Sequence, residues 1–107
     1  MDKIPESIQK IVEDYVARLT KQIPVNKVIL FGSYVKGNYT RDSDIDIAIF
    51  SDYFKDMDGL QAFRILFLSS VGYKADLQPL PFTMEEYSKP DGIVEEIIKT
   101  GVEIRVA

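Results

Sequence analysis

Hydrophobic and polar residues alternate with a helical period at the start of the chain. Apolar side chains recur every three or four residues between Ile4 and Ile23, and charged residues fill the opposite face. This spacing predicts an amphipathic helix over about 5–22. Pro5 suits the first helical position, which needs no backbone N–H, and Pro24 ends the segment because its ring cannot continue a helix.

The pattern then changes to that of strands. Residues 27–31 are a short β-branched and aromatic run before a glycine, which predicts a buried strand. The polar, glycine-containing segment 32–43 predicts a turn or a short helix. From Asp44 to Phe50 the alternation is strict, with three isoleucines on one face of a second strand. Asp44 and Asp46 must therefore share the other face.

A second helical pattern follows in the middle of the chain. Asp58 is a suitable N-cap for a helix through about Ser70, and Gly72 ends it. Four apolar residues on this helix form a stripe that we expect to lie in the core: Leu60, Phe63, Leu66 and Phe67.

The last third of the chain completes the predicted fold. A third strand is predicted over 74–80, stopped by Pro79 and Pro81. A capping box from Thr83 to Glu86 predicts the start of a short helix, and a further helix is predicted over 91–100, closed by Gly101 at a left-handed cap. Val102, Ile104 and Val106 alternate in a last predicted strand. Helices interleaved with about four strands predict an α/β (α+β) fold, with helices flanking a mixed sheet. We expect a single domain over 1–107.

The composition removes several kinds of chemistry. The 107 residues include no Cys and no His, which excludes disulfides, zinc fingers, thiol nucleophiles and imidazole bases. Catalysis would have to use carboxylates, hydroxyls, amines or metal-held water. Hard oxygen ligands prefer magnesium, manganese or calcium.

Charge and hydropathy limit the partners and the location. A net charge of -4 has the wrong sign for a broad phosphate-backbone interface, so nucleic-acid binding is disfavoured. The segment Met1–Pro5 is charged and has no long apolar run after it, so no secretory signal is visible, and no stretch is long enough to span a membrane. We expect a soluble cytoplasmic protein.

The residues that could bind phosphate and metal ions lie at the end of the first predicted strand and the start of the second. Gly32 and Ser33 directly follow a strand, where a glycine lets backbone N–H groups approach a phosphate and Ser33 adds a hydroxyl. Asp44 and Asp46 would repel each other unless a divalent cation or protons neutralise them. Asp76, in a strand that looks buried, needs the same compensation. Three carboxylates and a triphosphate can hold two metal ions, and this arrangement suits nucleotidyl transfer.

These residues resemble a known family, the minimal nucleotidyltransferases of the DNA polymerase beta superfamily. The resemblance covers about residues 28–78 and rests on Gly32-Ser33, Gly37, Ser43, Asp44-x-Asp46 and Asp76. It implies a mixed sheet that carries Asp44, Asp46 and Asp76 as ligands of two Mg²⁺ ions. Asp76 would also be the base for the incoming hydroxyl.

The resemblance further implies a nucleotide site with ATP as substrate. Gly32 and Ser33 would hold the β and γ phosphates, and Lys36 and Ser43 would also lie against the nucleotide. Members often carry Arg just before the second glycine of the motif. Lys36 in this sequence keeps the charge and loses the bidentate geometry.

The family also indicates a partner. Short stand-alone members resemble antitoxins encoded beside a HEPN-domain ribonuclease, and some transfer AMP from ATP to a tyrosine of that toxin. The length of 107 residues fits this group. Two alternatives stay open: an antitoxin that acts by contact alone, and an accessory subunit that binds nucleotide without turnover.

Other interpretations of the same residues are weaker. The run beginning at Asp42 starts like a calcium loop but has Ile47 where glycine is required and Tyr53 where glutamate is required. Gly32 and Gly37 have the spacing of P-loop glycines, but the Lys-Ser/Thr pair that a P-loop requires does not follow them. Asp76 could instead sit at a solvated strand edge.

Other polar residues near the motif have both a functional and a structural interpretation. Tyr34, Tyr39 and Arg41 are close enough in sequence to line a nucleotide site, although such residues are also common on surfaces. Three further aspartates are expected to be loop and cap residues: Asp52, Asp56 and Asp58.

Overall fold

The computed structural model describes residues 4–106, so Met1 to Lys3 and Ala107 of the predicted domain 1–107 lie outside the described part. The prediction about a secretory signal concerns mostly these first residues and so lies outside the described part. No helix within 4–106 is long and apolar enough to cross a membrane. In chain order the elements are α1 (Glu6–Thr20), β1 (Lys27–Phe31), α2 (Ser33–Lys36), β2 (Ile45–Phe50), α3 (Gly59–Ser69), β3 (Leu77–Phe82), α4 (Met84–Ser88), α5 (Ile93–Thr100) and β4 (Val102–Ile104).

The four strands form one mixed sheet in the order β3-β2-β1-β4. β1 pairs antiparallel with both β2 and β4, whereas β2 and β3 run parallel. The predicted fold class, a mixed sheet of about four strands flanked by helices, is confirmed. Because β2 and β3 are parallel, both strands begin at the same edge of the sheet.

Helices cover both faces of the sheet, and this determines where β2 is open. On one face the isoleucines of β2 pack with residues of α1 and α3, including Val12 and Leu66. On the other face Ala48 and Phe50 pack with Val94 and Ile97 of α5. Asp46, near the start of β2, is the one residue of this strand that is not fully buried.

The first helix agrees with the sequence prediction apart from its ends. α1 begins at Glu6, and Pro5 is its N-cap in an extended conformation rather than its first helical residue. The Tyr15 hydroxyl donates a hydrogen bond of 2.8 Å to the Leu66 carbonyl, which ties α1 to α3.

β3 corrects the prediction that Pro79 and Pro81 stop the third strand. Both prolines lie inside β3, which runs to Phe82 at the edge of the sheet. The carbonyls of Asp76 and Phe82 accept hydrogen bonds from backbone N–H groups on the β2 side. Residues of this parity point their backbone groups toward β2, so the two prolines occupy positions whose missing N–H would face outward.

The orientation of α3 corrects the predicted core stripe. Asp58 caps the helix as predicted, by accepting from the Gln61 N–H. Leu66 is fully buried and Phe63 is partly buried, but Leu60 is 80% exposed and Phe67 is 50% exposed. The buried side of the helix carries Leu66 and two small residues, Ala62 and Ser69.

The C-terminal elements correct a prediction about Gly101. The capping box at Thr83 and Glu86 is confirmed. α5 begins at Ile93, later than predicted, and Gly101 has φ of -80° rather than a left-handed conformation. Gly101 is instead required for space, because a Cβ there would lie 2.6 Å from the Ile97 carbonyl oxygen. The last strand ends at Ile104, so Val106 lies beyond it.

Candidate active site

The start of β2 and the start of β3 bring three aspartates to one edge of the sheet. Ile45 pairs with Leu77, and the Ile45 N–H donates a 2.8 Å hydrogen bond to the Asp76 carbonyl. Asp44 and Asp76 each precede the first residue of their strand. Because side chains alternate along a strand, Asp44, Asp46 and Asp76 have the parity of the face opposite Ile45 and Leu77.

Gly32 lies against this carboxylate edge. β1 ends beside the start of β2, where Phe31 pairs with Asp46. Gly32 has φ of +83°, and a Cβ on it would collide with the Asp46 carboxylate, its Cγ being 3.1 Å away. Glycine is required here for both conformation and space. The predicted phosphate-binding turn and the predicted metal ligand are therefore direct neighbours.

The electrostatics of Asp46 favour a bound cation. Burial raises the pKa of the Asp46 carboxyl above its usual range, and the negative charge of Asp44 raises it further. A divalent cation would offset both effects, and carboxylate oxygens are the ligands that Mg²⁺ prefers. The pair of Asp44 and Asp46 thus fits a magnesium ion.

The three carboxylates of Asp44, Asp46 and Asp76 do not form a compact metal-binding cluster. Within residues 4–106, no group of three or more Asp, Glu, His or Cys side chains is placed so that it could hold one metal ion. Asp44 and Asp76 are exposed and Asp46 is partly exposed, so their side chains have room to move. The ligand role of Asp76 stays a prediction.

The other predicted phosphate contacts are spread along α2 and the following loop. Ser33 is the first residue of α2, and Lys36 is exposed at its last position, before Gly37 takes a left-handed conformation. The Ser43 hydroxyl accepts a 2.8 Å hydrogen bond from the Thr40 N–H. In this conformation Ser43 organises the loop that leads into Asp44.

Asp76 lines a cavity of about 190 Å³ at this edge of the sheet. Tyr34, Arg41 and Lys74 line it as well. Tyr34 and Arg41 also border a second cavity of about 280 Å³, where the ring of Tyr39 stacks on Tyr34 with centroids 4.6 Å apart. The structure thus brings together Tyr34, Tyr39 and Arg41, which the sequence indicated as candidate lining residues.

Lys74 was missed by the sequence reasoning. A lysine two residues before a candidate catalytic aspartate was the only available signal, and a strand prediction beginning at Lys74 assigned it to the sheet. The structure places it before β3, in the wall of the Asp76 cavity.

Three other aspartates that the sequence singles out do not line the Asp76 cavity. Asp52 lies in a short 3₁₀ helix after β2, and Asp58 caps α3. Asp56 is exposed in the turn between them. Their predicted roles as loop and cap residues agree with the structure.

Comparison with known protein families identifies the class to which this chain belongs. The sequence matches the nucleotidyltransferase domain family over residues 8–104, and the chain belongs to that family.

Solved structures show the same fold. A crystal structure named as a "putative nucleotidyltransferase" from Sulfolobus solfataricus superposes with a TM-score of 0.70, at 20% identity, over 91% of this chain and 78% of that one. A structure named as a toxin-antitoxin with AMP-PNP gives a TM-score of 0.60, at 22% identity, over 89% and 73% of the two chains. At these identities the likeness shows the fold alone.

One curated relative matches more closely over a shorter stretch. It is named "Putative protein adenylyltransferase", from Methanocaldococcus jannaschii, and is 44% identical over 46 residues. The match covers 41% of this chain and 46% of that protein, so it spans about half the length of the relative.

Proposed function

We propose that this chain transfers AMP from ATP to a hydroxyl group on a partner protein, with Mg²⁺ bound at Asp44 and Asp46. One observation carries the proposal: parallel pairing brings the starts of β2 and β3 together, beside Gly32, with Asp76 at the start of β3. Membership of the nucleotidyltransferase domain family supports the class of reaction.

Each residue of the proposed site has a separate role in the reaction. The acceptor hydroxyl oxygen forms a bond to the α-phosphorus, the bond from that phosphorus to the bridging oxygen breaks, and pyrophosphate leaves. Asp76 takes the hydroxyl proton. Gly32 and Ser33 hold the β and γ phosphates through backbone N–H groups and the hydroxyl, with Lys36 as a further cation.

Magnesium supplies charge neutralisation in this scheme. When bound, two Mg²⁺ ions would lower the repulsion between the nucleotide phosphates and the carboxylates. Asp44 and Asp46 would hold them, with Asp76 as the third ligand that the sequence predicts. Ser43, one residue before Asp44, would position the loop against the nucleotide.

We further propose that the acceptor is a tyrosine of a HEPN-domain toxin, so that the chain acts as an antitoxin in the cytoplasm. The curated relative named as a protein adenylyltransferase supports a protein acceptor. A fold neighbour named as a toxin-antitoxin with AMP-PNP supports both the nucleotide and the biological setting.

Charge-removing variants test the site. Asp44→Asn and Asp46→Asn should abolish AMP transfer and weaken binding of ATP with Mg²⁺, because each removes a charge from the metal site. Asp76→Asn should lose turnover and keep most nucleotide binding. Asp56→Asn, at an exposed aspartate outside the site, is the matched control and should behave as wild type.

The measurements are calorimetry with ATP and Mg²⁺, pyrophosphate release, and mass spectrometry of the partner after incubation. Full activity in Asp44→Asn or Asp46→Asn would rule out the proposed site. Equal loss of binding and turnover in Asp76→Asn would rule out its role as base.

A second candidate function is a nucleotide-binding antitoxin or accessory subunit without turnover, acting by contact. It is favoured by the absence, within residues 4–106, of three carboxylates gathered for one metal ion. Binding of ATP with no pyrophosphate release in the presence of the partner would select this function.

A further inference from the structure

The connection between α3 and β3, residues 70–76, is attached to α1 by one arginine. Arg18 lies on the exposed side of α1, and its guanidinium donates hydrogen bonds of 3.2 Å to the Ser69 carbonyl and 3.1 Å to the Val71 carbonyl. Both carbonyls lie at or just beyond the C-terminal end of α3, where no further helical turn supplies N–H donors. The guanidinium therefore fixes the place where the connection leaves the helix.

Tyr73 provides a second attachment in the middle of the connection. The Arg18 guanidinium carbon lies 4.6 Å from the centroid of the Tyr73 ring, and the Tyr73 hydroxyl donates a 2.6 Å hydrogen bond to the Asp14 carboxylate. The ring also meets the ring of Tyr15 edge to face, with centroids 6.2 Å apart. Three side chains of α1 thus contact Tyr73. We call the group of Asp14, Arg18 and Tyr73 the α1 anchor.

Asp76 lies at the end of β3 where fraying of the sheet would begin. β3 is an edge strand that begins at Leu77, so it has a neighbouring strand on one side only. The Asp76 carbonyl accepts the Ile45 N–H at 2.8 Å. Terminal residues of an element open at a much lower free energy than its centre. The position of Asp76 therefore depends on the segment that precedes it as well as on β2.

The α1 anchor holds that preceding segment close to Asp76. Tyr73 and Ala75 pack against the core on the α1 side of the sheet, whereas Lys74 and Asp76 are exposed and line the cavity of about 190 Å³. Three peptide units separate Tyr73 from Asp76, so the two lie at most about 11 Å apart along the chain. A shift of Tyr73 would therefore be transmitted to Asp76 over a short stretch of backbone.

We propose that Arg18 and Tyr73 are positioning residues for the transfer reaction. Together with Asp14 they hold residues 70–76 on α1, and so keep Asp76 where it can take the proton of the incoming hydroxyl. None of the three residues of the α1 anchor lines the Asp76 cavity. This inference rests on the proposed function, because it takes Asp76 to be the base. It adds the contacts outside the cavity that determine where the base lies.

Amide hydrogen exchange tests the α1 anchor without substrate. In the ligand-free full chain, Arg18→Ala and Tyr73→Ala should each increase the exchange rate of the Ile45 N–H, relative to amides in the middle of β2, at least about tenfold. The Ile45 N–H is the probe because it is bonded to the Asp76 carbonyl. An equal increase along the whole of β2 would show a loss of global stability instead and would contradict the inference.

Turnover tests the consequence for Asp76. The full chain is incubated with ATP labelled on the α-phosphate, Mg²⁺ and an extract of the source cells, and a protein that wild type labels is purified as the acceptor. With that acceptor, Arg18→Ala and Tyr73→Ala should lower kcat at least about tenfold, because a displacement of about 1 Å at a reacting group can cost about a hundredfold. The dissociation constant for ATP with Mg²⁺, measured by calorimetry, should stay unchanged, since neither variant alters Asp44 or Asp46.

Conservative variants distinguish the individual contacts. Tyr73→Phe keeps the ring against Arg18 and Tyr15 and loses only the hydrogen bond to Asp14, so it should lose less turnover than Tyr73→Ala. Arg18→Lys keeps the charge but loses the planar guanidinium, so it should lie between wild type and Arg18→Ala. Arg64→Ala removes an exposed arginine from α3 and is the matched control, which should behave as wild type. Circular dichroism checks that all variants keep the fold.

The outcomes separate the two proposals. If wild type labels an acceptor and Arg18→Ala labels it with the same kcat, the positioning role is wrong and the transfer function stands. If both alanine variants leave the exchange of the Ile45 N–H unchanged, the α1 anchor does not hold Asp76 and the inference is likewise wrong. If wild type labels no protein, the transfer function fails, and the positioning role falls with it whatever the exchange rates show.

Discussion

Gly32→Ala should damage the site and the fold together. Gly32 has φ of +83° and ψ of -152°, a region that is essentially restricted to glycine, and a side chain there costs about 1–3 kcal/mol. The new Cβ would also collide with the Asp46 carboxylate. The aspartate must then turn away, or the end of β1 must shift. We expect the free energy of unfolding to fall by at least about 1–3 kcal/mol, and binding of ATP with Mg²⁺ to be lost.

Gly37→Ala is a control that separates the two effects. Gly37 has φ of +87° at the end of α2, but a Cβ there would have no atom within 4 Å. This variant should carry only the conformational cost, about 1–2 kcal/mol. It should keep its metal site, because Asp46 is not displaced.

Urea unfolding and calorimetry with ATP and Mg²⁺ measure the two quantities in parallel. Stability is compared from unfolding midpoints at equal slope, and affinity from the dissociation constants. If Gly32→Ala binds nucleotide as tightly as Gly37→Ala, the contact between Gly32 and Asp46 does not position a ligand. The reasoning about this edge of the sheet would then be wrong.

Three further predictions concern the scaffold. Asp58→Ala removes the N-cap of α3 and should cost about 1 kcal/mol in urea unfolding, whereas Asp58→Asn should keep most of the stability. Gly59→Ala, at a helical position with no atom within 4 Å of a new Cβ, should add about 0.4–1 kcal/mol. Burial and a 2.6 Å hydrogen bond to Asp14 raise the pKa of Tyr73 to about 12 from an ordinary 10.0, so its contribution to stability is complete below pH 10 and is lost toward pH 12. Tyr73→Phe should make the loss of stability over that interval shallower, and an unchanged slope would contradict this role.

The pattern of residues could predict the sheet and the face of β2 on which the candidate aspartates lie. Strict alternation over Asp44 to Phe50 placed three isoleucines in the core, and all three are fully buried. The same period put Asp44 and Asp46 on the opposite face. The alternation was easy to recognise because one face of this segment is wholly aliphatic, whereas the other begins with the charged residues Asp44 and Asp46.

Tertiary packing overrode the local signals elsewhere. The stripe through Leu60 and Phe67 has the spacing of a buried helix face, yet the buried positions of the helix are Ala62, Leu66 and Ser69. Spacing alone cannot distinguish a buried apolar face from an exposed one. Pro79 likewise signalled the end of a strand, since the sequence did not reveal that β3 lies at the sheet edge.

The convergence of the three carboxylates could not be predicted at the level of side chains. Parity and strand order bring Asp44, Asp46 and Asp76 to one edge, but no group of three that could hold a metal ion is formed within residues 4–106. Repulsion between like charges opposes a close approach of the three side chains. Strand pairing therefore predicts which residues lie at the same edge, and their roles as ligands stay predictions.

The same repulsion links stability to ligand binding. Burial, and in addition the charge of Asp44, raises the pKa of Asp46 above its usual range, so the ionised carboxylate lowers the stability of the fold. Asp44→Asn should therefore stabilise the ligand-free chain while it weakens binding of ATP with Mg²⁺. Wild type should gain about 2.7 kcal/mol from the ligand at one hundred times its dissociation constant, and the variant should gain much less at that concentration. Thermal unfolding with and without ATP and Mg²⁺ measures both changes. If Asp44→Asn lowers the stability of the ligand-free chain, the two carboxylates do not repel each other as inferred.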